Sequence, residues 1–345
     1  MRTTLLLSFL LVLVMGCKSN NKANKDVTVV AEKVKPDQTR ILTDYEKAKR
    51  KAFIWTNNLN LDLDYVAKKN LGDKKHLAEL LGMYWKIYQS SDAKTKTEVI
   101  QHIQPYYTYT KSPKYHNMLA VSDKLFKKNS MSYLRVMWLL KELDFDISDY
   151  QTEVKKVMNR MNTHLKSRGK WQLEVFKEYY HFFDFEMPDI LKRTKFDNGL
   201  IDRKMSFDQY KKTDAYSFTH FVFAGFEYGN KTTQNRFDMG DLAYIKEMLP
   251  KFTKYYRDVK PNIDLLGEFF TCMVYFGFDK TDEFSTTYNY LLKHQNTNGS
   301  WGYYEKARKK IGDDIDFRAY LHTTLVVYEG LMAYNEGKFK GSKKE

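Results

Sequence analysis

A short signal recurs along the chain at a spacing that leaves few folds open. The pattern Phe-acid-x-x-Asp stands at Phe145–Asp149, Phe185–Asp189, Phe237–Asp241 and Phe278–Asp282, in steps of 40, 52 and 41 residues. A period of roughly 40 to 50 residues is the length of a helical hairpin repeated in an array. Each second Asp is expected to begin a helix as its cap, accepting the first free backbone N–H groups. Each Phe is expected to pack one turn onward as a staple.

The helices between these signals fall into two kinds. After Asp149, the residues Val154, Val157, Met158, Met161 and Leu165 make one apolar stripe; after Asp282, so do Phe284, Tyr288, Leu291 and Leu292. Two of these helices run into Gly-x-Trp, at Gly169-Lys-Trp171 and Gly299-Ser-Trp301. The Gly suits a left-handed helix exit, and the Trp is expected to pack into the seam with the next unit. The stretch Ile263 to Phe276 is instead apolar nearly all round, which marks a helix buried on every side. Two-faced outer helices alternating with apolar inner ones are what a two-layer ring requires.

Upstream, Thr43-Asp44 is a helix start signal. Leu77, Leu80, Leu81, Tyr84 and Trp85 sit at helical spacing, as do Val99, Ile103 and Tyr106. No stretch shows strand alternation. The expected fold is all-α: a helical N-terminal segment over 43–112, then an α/α toroid of about five hairpins over 114–337, with a basic tail at 338–345. Six prolines and sixteen glycines in 345 residues leave room for long helices.

The first residues carry an address. Met1-Arg2 is positive, and Leu5 to Gly16 is an apolar run of twelve, the length of a signal-peptide core and short of the roughly 20 that span a bilayer. Val14-Met15-Gly16-Cys17 resembles the bacterial lipobox, in which the cysteine becomes lipidated and N-terminal. That resemblance implies a leader over 1–17, a polar tether over 18–42, lipid on Cys17 and a place in the bacterial cell envelope, held at a membrane by an anchor and not by a span. The net charge of +14 is scattered along the chain, as at Lys47 to Lys51 and Lys306 to Lys310. An exported protein meets no nucleic acid, so that class of partner is set aside. With Cys17 lipidated, Cys272 has no disulfide partner.

Gln295-Asn-Thr-Asn-Gly299-Ser-Trp301 resembles the Q-x(2–5)-G-x-W repeat of terpene cyclases and prenyltransferases, whose fold is the α/α toroid. Tyr320 to Gly330 looks like the inner helix that follows such a turn. Tyr216-Ser-Phe-Thr219-His220 with Gly229, and Asp264-Leu-Leu-Gly-Glu268, resemble an uncharacterised bacterial family of toroid-like proteins, the DUF6895-type domain. That resemblance covers about Asp123 to Asn335. The acidic string Asp313-Asp314-Ile-Asp316 matches neither acid motif of the cyclases. No Asp-x-Cys accompanies His322 as it does in zinc-dependent prenyltransferases. Neither activity is therefore implied.

Ionisable residues on inner helices need a reason, because those helices face the axis of the ring. Counting back from helix ends sets Arg135 ten residues before Phe145 and Glu268 ten before Phe278. It sets His220 nine before Gly229 and His322 eight before Gly330. All four are expected at similar depth, with Glu174 and Glu178 near that level. Three chemistries fit His220, Glu268 and His322: ligation of one divalent metal such as zinc, general acid–base catalysis in a lyase or hydrolase, or fixing of a glycan- or isoprenoid-type ligand with no chemistry. A buried polar network that merely locks the ring is the fourth. Arg135, Glu174, Tyr216, Asp264, Trp301 and Asp316 complete the candidate ligand contacts. Trp301 is equally a packing anchor, and Asp316 equally part of a solvated helix cap.

Overall fold

A computed structural model describes residues 42–59, 61, 63, 73–193, 198–302, 309 and 317–339. The described residues are all-helical, with no strand among them. Twelve α-helices follow in order: α1 (Asp44–Asn57), α2 (Asp73–Gln89), α3 (Ala93–Thr110), α4 (Asp123–Glu142), α5 (Ser148–Leu165), α6 (Lys170–Phe182), α7 (Asp189–Arg193), α8 (Lys212–Gly225), α9 (Met239–Lys254), α10 (Ile263–Tyr275), α11 (Asp282–Lys293) and α12 (Arg318–Asn335). None of the described helices is long and apolar enough to cross a membrane.

The even-numbered helices form a closed series of neighbours. Helix α2 packs on α4, α4 on α6, α6 on α8, α8 on α10, α10 on α12, and α12 back on α2. Odd-numbered helices lie against this series: α3 on α2, α5 on α4, α7 on α6, α9 and α11 on α10, and α1 on α12 and α2. Helix α2 comes from the segment set apart above as an N-terminal addition, yet it is the member that joins α12 to α4.

Residue pattern explains the two roles. In α5 only Tyr150, Val154, Val157, Met161 and Leu165 are buried, one stripe at spacings of three and four. In α10 every residue but Asp264 is buried. Each fully buried Leu or Phe there contributes roughly 1.5–3 kcal/mol from apolar area removed from water. Helices α10 and α12 also come unusually close. A Cβ on Gly267 would stand 2.6 Å from Val327 Cγ2, and one on Gly330 would stand 2.5 Å from Thr271 Oγ1. These two glycines let the faces carrying Asp264, Glu268 and His322 meet.

The Gln295–Trp301 turn holds α1 to the rest of the fold. Gln295 Nε2 donates to the Ala48 and Gly299 carbonyls, both at 2.9 Å. Gly299 has φ +97°, and a Cβ on it would stand 2.2 Å from the Lys51 carbonyl oxygen. Trp301 is fully buried. Its indole N–H donates to the Leu291 carbonyl at 2.8 Å, and its backbone N–H donates to Thr324 Oγ1 at 2.9 Å. Trp301 is therefore a packing anchor between α11 and α12, which corrects its place among the candidate ligand contacts: no face of it is open to a ligand. Gly169 also departs from expectation. Its φ is −70°, and it is the N-cap of α6 and not a left-handed exit from α5.

The repeated signal works differently from the expected cap. Asp238, the first acid of its unit, accepts the N–H of Asp241 at 2.8 Å. Asp146 likewise accepts the N–H of Ser148 at 3.0 Å, and Thr281 caps α11 by accepting the N–H of Phe284 at 3.2 Å. The second Asp lies inside the first turn, where its charge still favours the positive helix end. The phenylalanines pack on aromatic rings of other elements or on rings just before them in the chain: Phe145 meets Tyr107 of α3 at 4.5 Å between centroids, Phe237 meets Phe276 at 5.8 Å, and Phe185 and Phe278 meet Phe183 at 5.5 Å and Phe276 at 5.7 Å.

Candidate functional site

Four acidic and imidazole side chains from three neighbouring even-numbered helices converge. His322 projects from the first turns of α12 with its two ring nitrogens facing opposite acids. On one side Nδ1 lies 3.0 Å from Glu79 Oε1 of α2. On the other, Nε2 lies 3.4 Å from Glu268 Oε1 and 3.9 Å from Asp264 Oδ1, both of α10. Asp264 and Glu268 are one helical turn apart, so both carboxylates share a face. Asp264, Glu268 and His322 each offer a ligand-type atom within 4.8 Å of the others.

Hydroxyl groups hold the outer oxygens of both α10 acids and also the inner oxygen of Asp264. Thr219 Oγ1 of α8 lies 2.5 Å from Glu268 Oε2 and 2.8 Å from the Tyr216 carbonyl. Its single proton serves the charged acceptor best. Tyr216 OH donates to Asp264 Oδ2 at 2.6 Å, and Thr323 Oγ1 donates to Asp264 Oδ1 at 3.0 Å. Glu268 Oε1, which faces His322, is buried with no hydrogen-bond partner. Glu79 Oε1 and His322 Nδ1 are close enough to pair as ions, but the two groups are not aligned for a hydrogen bond. Glu79 also pairs with Lys75 at 3.3 Å.

The charges of the cluster reinforce one another. Burial by itself would favour neutral His322, yet contacts with Glu268 and Glu79 outweigh it and raise the imidazole to about 10. Burial would likewise favour a protonated Glu79, but His322, with Lys75 and Arg135 beyond it, lowers that carboxyl to about 2. Glu79 and Glu268 are almost entirely buried, whereas 32% of the His322 side chain and 20% of the Asp264 side chain stay accessible. The cluster is therefore deep, and what accessible surface it keeps lies on its His322–Asp264 side.

The other expected residues sit around it. His220 is half-buried, with its ring stacked on Trp171 at 4.4 Å and 11°. Burial lowers its pKa, while the Glu268 charge works the other way. His220 Nδ1 has no hydrogen-bond partner, but His220 is not one of the three residues whose ligand atoms gather. Asp264 takes the place expected for it. Arg135 of α4 lies over Gly82 of α2, its guanidinium 3.2 Å from where a Cβ on that glycine would be. Glu174 is a half-buried residue of α6 whose carboxyl is raised by burial, with the Arg236 charge opposing. Glu178 of α6 is exposed. Cys272 is fully buried, and burial keeps its thiol protonated. Cys17, Asp313, Asp314 and Asp316 lie outside the described residues.

Glu79 was absent from the expected set. It stands in the apolar run Leu77-Ala-Glu79-Leu80-Leu81, so the signal was an acid where the helix face should be apolar. A second polar layer repeats the arrangement seven residues on in each helix: Lys86 for Glu79, Tyr275 for Glu268, Glu329 for His322. Lys86 Nζ donates to Glu329 Oε1 at 2.9 Å and Tyr275 OH donates to the same oxygen at 2.7 Å. Seven residues are two helical turns, about 10 Å. Helices α2, α10 and α12 therefore run in the same direction, with an acid-rich layer above a neutralised one.

A family model described as a domain of unknown function (DUF6895) matches residues 194–332. The chain is similar to that family from before α8 into α12, a stretch that includes His220, Asp264, Glu268 and His322 and leaves out Glu79 and Arg135. No curated protein and no solved structure matches the chain.

Proposed function

We propose that this chain is a lipid-anchored protein of the bacterial envelope whose inner helices close into an α/α toroid, and that the toroid cavity binds a hydroxyl-rich, glycan-type ligand. The ring domain would then run from α1 to α12 and include the segment before residue 114. The observation that carries the binding reading is the cluster of Glu79, Asp264, Glu268 and His322, deep but with accessible surface at His322 and Asp264. Carboxylates with free acceptor capacity bind hydroxyl hydrogens well, and stacked Trp171 with Tyr216 offers aromatic faces to sugar rings. An isoprenoid chain is the poorer occupant. It would displace water from these charges and return no hydrogen bond, at several kcal/mol per group.

A second reading has its own support. Glu268 Oε1 and His322 Nε2 stand 3.4 Å apart, and closing by a few tenths of an ångström would bring them into proton-transfer reach, as hydrolase or lyase chemistry with His220 nearby would use.

Oligosaccharide titration followed by calorimetry tests the binding reading. Saturable binding that Asp264→Asn or Trp171→Ala weakens supports it; binding of prenyl lipids and no sugar overturns it. Mass spectrometry of the incubated sugars separates the second reading, since only catalysis alters their mass. For the anchor, a diacylglyceryl group on an N-terminal Cys17 is the expected mass, and a free thiol there removes the proposal.

A further inference from the structure

We propose that Asp264, Glu268 and His322 bind one first-row divalent cation of the zinc class, and that Glu79 is the outer partner that orients the imidazole. This deepens the cavity reading and rests on it for solvent access to the site.

The three side chains make a coherent donor set. One imidazole and two carboxylates suit zinc and its first-row neighbours; calcium and magnesium favour oxygen alone. Zinc holds such ligands at about 2.0–2.2 Å in tetrahedral sites, which places ligand atoms roughly 3.3–3.6 Å from one another. His322 Nε2 stands 3.4 Å from Glu268 Oε1 and 3.9 Å from Asp264 Oδ1, and all three ligand atoms lie within 4.8 Å of one another, so the carboxylates would close by about 1 Å at most to hold the ion. A fourth position would stay open toward the accessible side, for water or a ligand hydroxyl.

A second observation is independent of the spacing. Glu268 is 0% exposed and its Oε1, turned toward His322 Nε2, has no hydrogen-bond partner. An unsatisfied, wholly buried carboxylate oxygen is costly, and a cation at that point would satisfy it.

The outer groups complete the pattern. A metal-bound histidine usually presents its other nitrogen to a carboxylate, which fixes the ring and makes the ligating nitrogen more basic. Glu79 Oε1 lies 3.0 Å from Nδ1 of His322, and a small turn of the ring on binding the ion would align that bond. Thr219 holds the far oxygen of Glu268, and Tyr216 that of Asp264. Each carboxylate thus keeps a lone pair facing the common point, and His322 Nε2 supplies its own as the incoming ion displaces the imidazolium proton to solvent. His220 is outside the set because its ring nitrogens do not gather with the other three ligand atoms.

The experiment uses the full chain, stripped with a chelator and dialysed against Zn2+ or Co2+. One ion per chain and the visible spectrum of tetrahedral Co2+ are expected. Asp264→Asn and His322→Gln should each lose the spectrum, and Glu79→Gln should keep the stoichiometry while weakening affinity about 10- to 100-fold. No stoichiometric ion in the parent chain, or one that survives His322→Gln, overturns the proposal. Should the variants fail to fold, 15N spectra of the unmodified chain during Zn2+ addition decide. A shift of His322 Nε2 supports the site, and a response confined to exposed histidines such as His294 overturns it. Sugar binding by the chelator-treated chain is measured separately. If it persists while Zn2+ binding fails, only the cation site falls; if Zn2+ binds and no sugar does, only the glycan reading falls.

Discussion

Replacing Gly299 by alanine isolates what the Gln–Gly–Trp turn does. Two glycines with left-handed backbone make a matched pair: Gly299 at φ +97° and Gly277 at φ +67°. An added Cβ meets nothing within 4 Å at Gly277, but at Gly299 it stands 2.2 Å from the Lys51 carbonyl oxygen and 2.6 Å from its carbon. Both variants carry the strain of an L-residue in the left-handed region, roughly 1–2 kcal/mol. Gly277→Ala should lose no more. Gly299→Ala must also push the backbone of α1 away by roughly 1 Å or more to restore van der Waals separation. That loosens the Gln295 bond to Ala48, worth roughly 0.5–1.5 kcal/mol, and the packing of Tyr45, Ala48, Ala52 and Trp55. The expected totals are about 3–4 kcal/mol for Gly299→Ala against 1–2 for Gly277→Ala. At about 2–4 °C per kcal/mol in a domain of this size, the two melting temperatures should differ by roughly 4–8 °C. Hydrogen exchange should place the change in α1. Equal melting temperatures, with the α1 amides as protected as in the parent, would refute this account of the turn.

Three further outcomes follow from the same contacts. Thr219→Val removes the hydroxyl that holds Glu268 Oε2, and leaving that buried oxygen unsatisfied should destabilise the fold by about 1–3 kcal/mol in chemical denaturation. Trp301→Ala should cost about 3–5 kcal/mol by the same measurement, and Trp301→Phe, which keeps most of the volume but orphans the Leu291 carbonyl, only about 1–2. His116, packed on Tyr133 with Nδ1 2.6 Å from its hydroxyl, is lowered by burial to about 4. The unfolded chain therefore binds a proton that the folded chain refuses between about pH 6.5 and 4. Stability is complete above that window and declines as pH falls through it, by at most about 1.4 kcal/mol per unit. A His116→Gln variant should show a flatter decline there; an identical pH profile would exclude the histidine as the cause.

Period and polarity were enough to read the fold class. The alternation of striped and all-apolar helices is a property of the chain itself, because burial on one face or on all faces dictates which residues each helix can carry. The level shared by Glu268 and His322 was also legible, since rigid helices of equal rise carry residues counted from their ends to equal depth.

Partnership was not legible, because it depends on which way each side chain turns and on how closely two helices approach. Glu79 entered the cluster because α2 closes the series between α12 and α4, a contact between residues far apart in the chain. Asp264 stands at the cluster in place of His220 because Gly267 and Gly330 draw α10 against α12, while the ring nitrogens of His220 on α8 do not gather with theirs. Trp301 reads the same in sequence whether it packs or binds; only the closed seam between α11 and α12 decides. Local pattern sets what each helix can bury, and the tertiary arrangement alone decides which charges meet, because that meeting is fixed by distances no single segment contains.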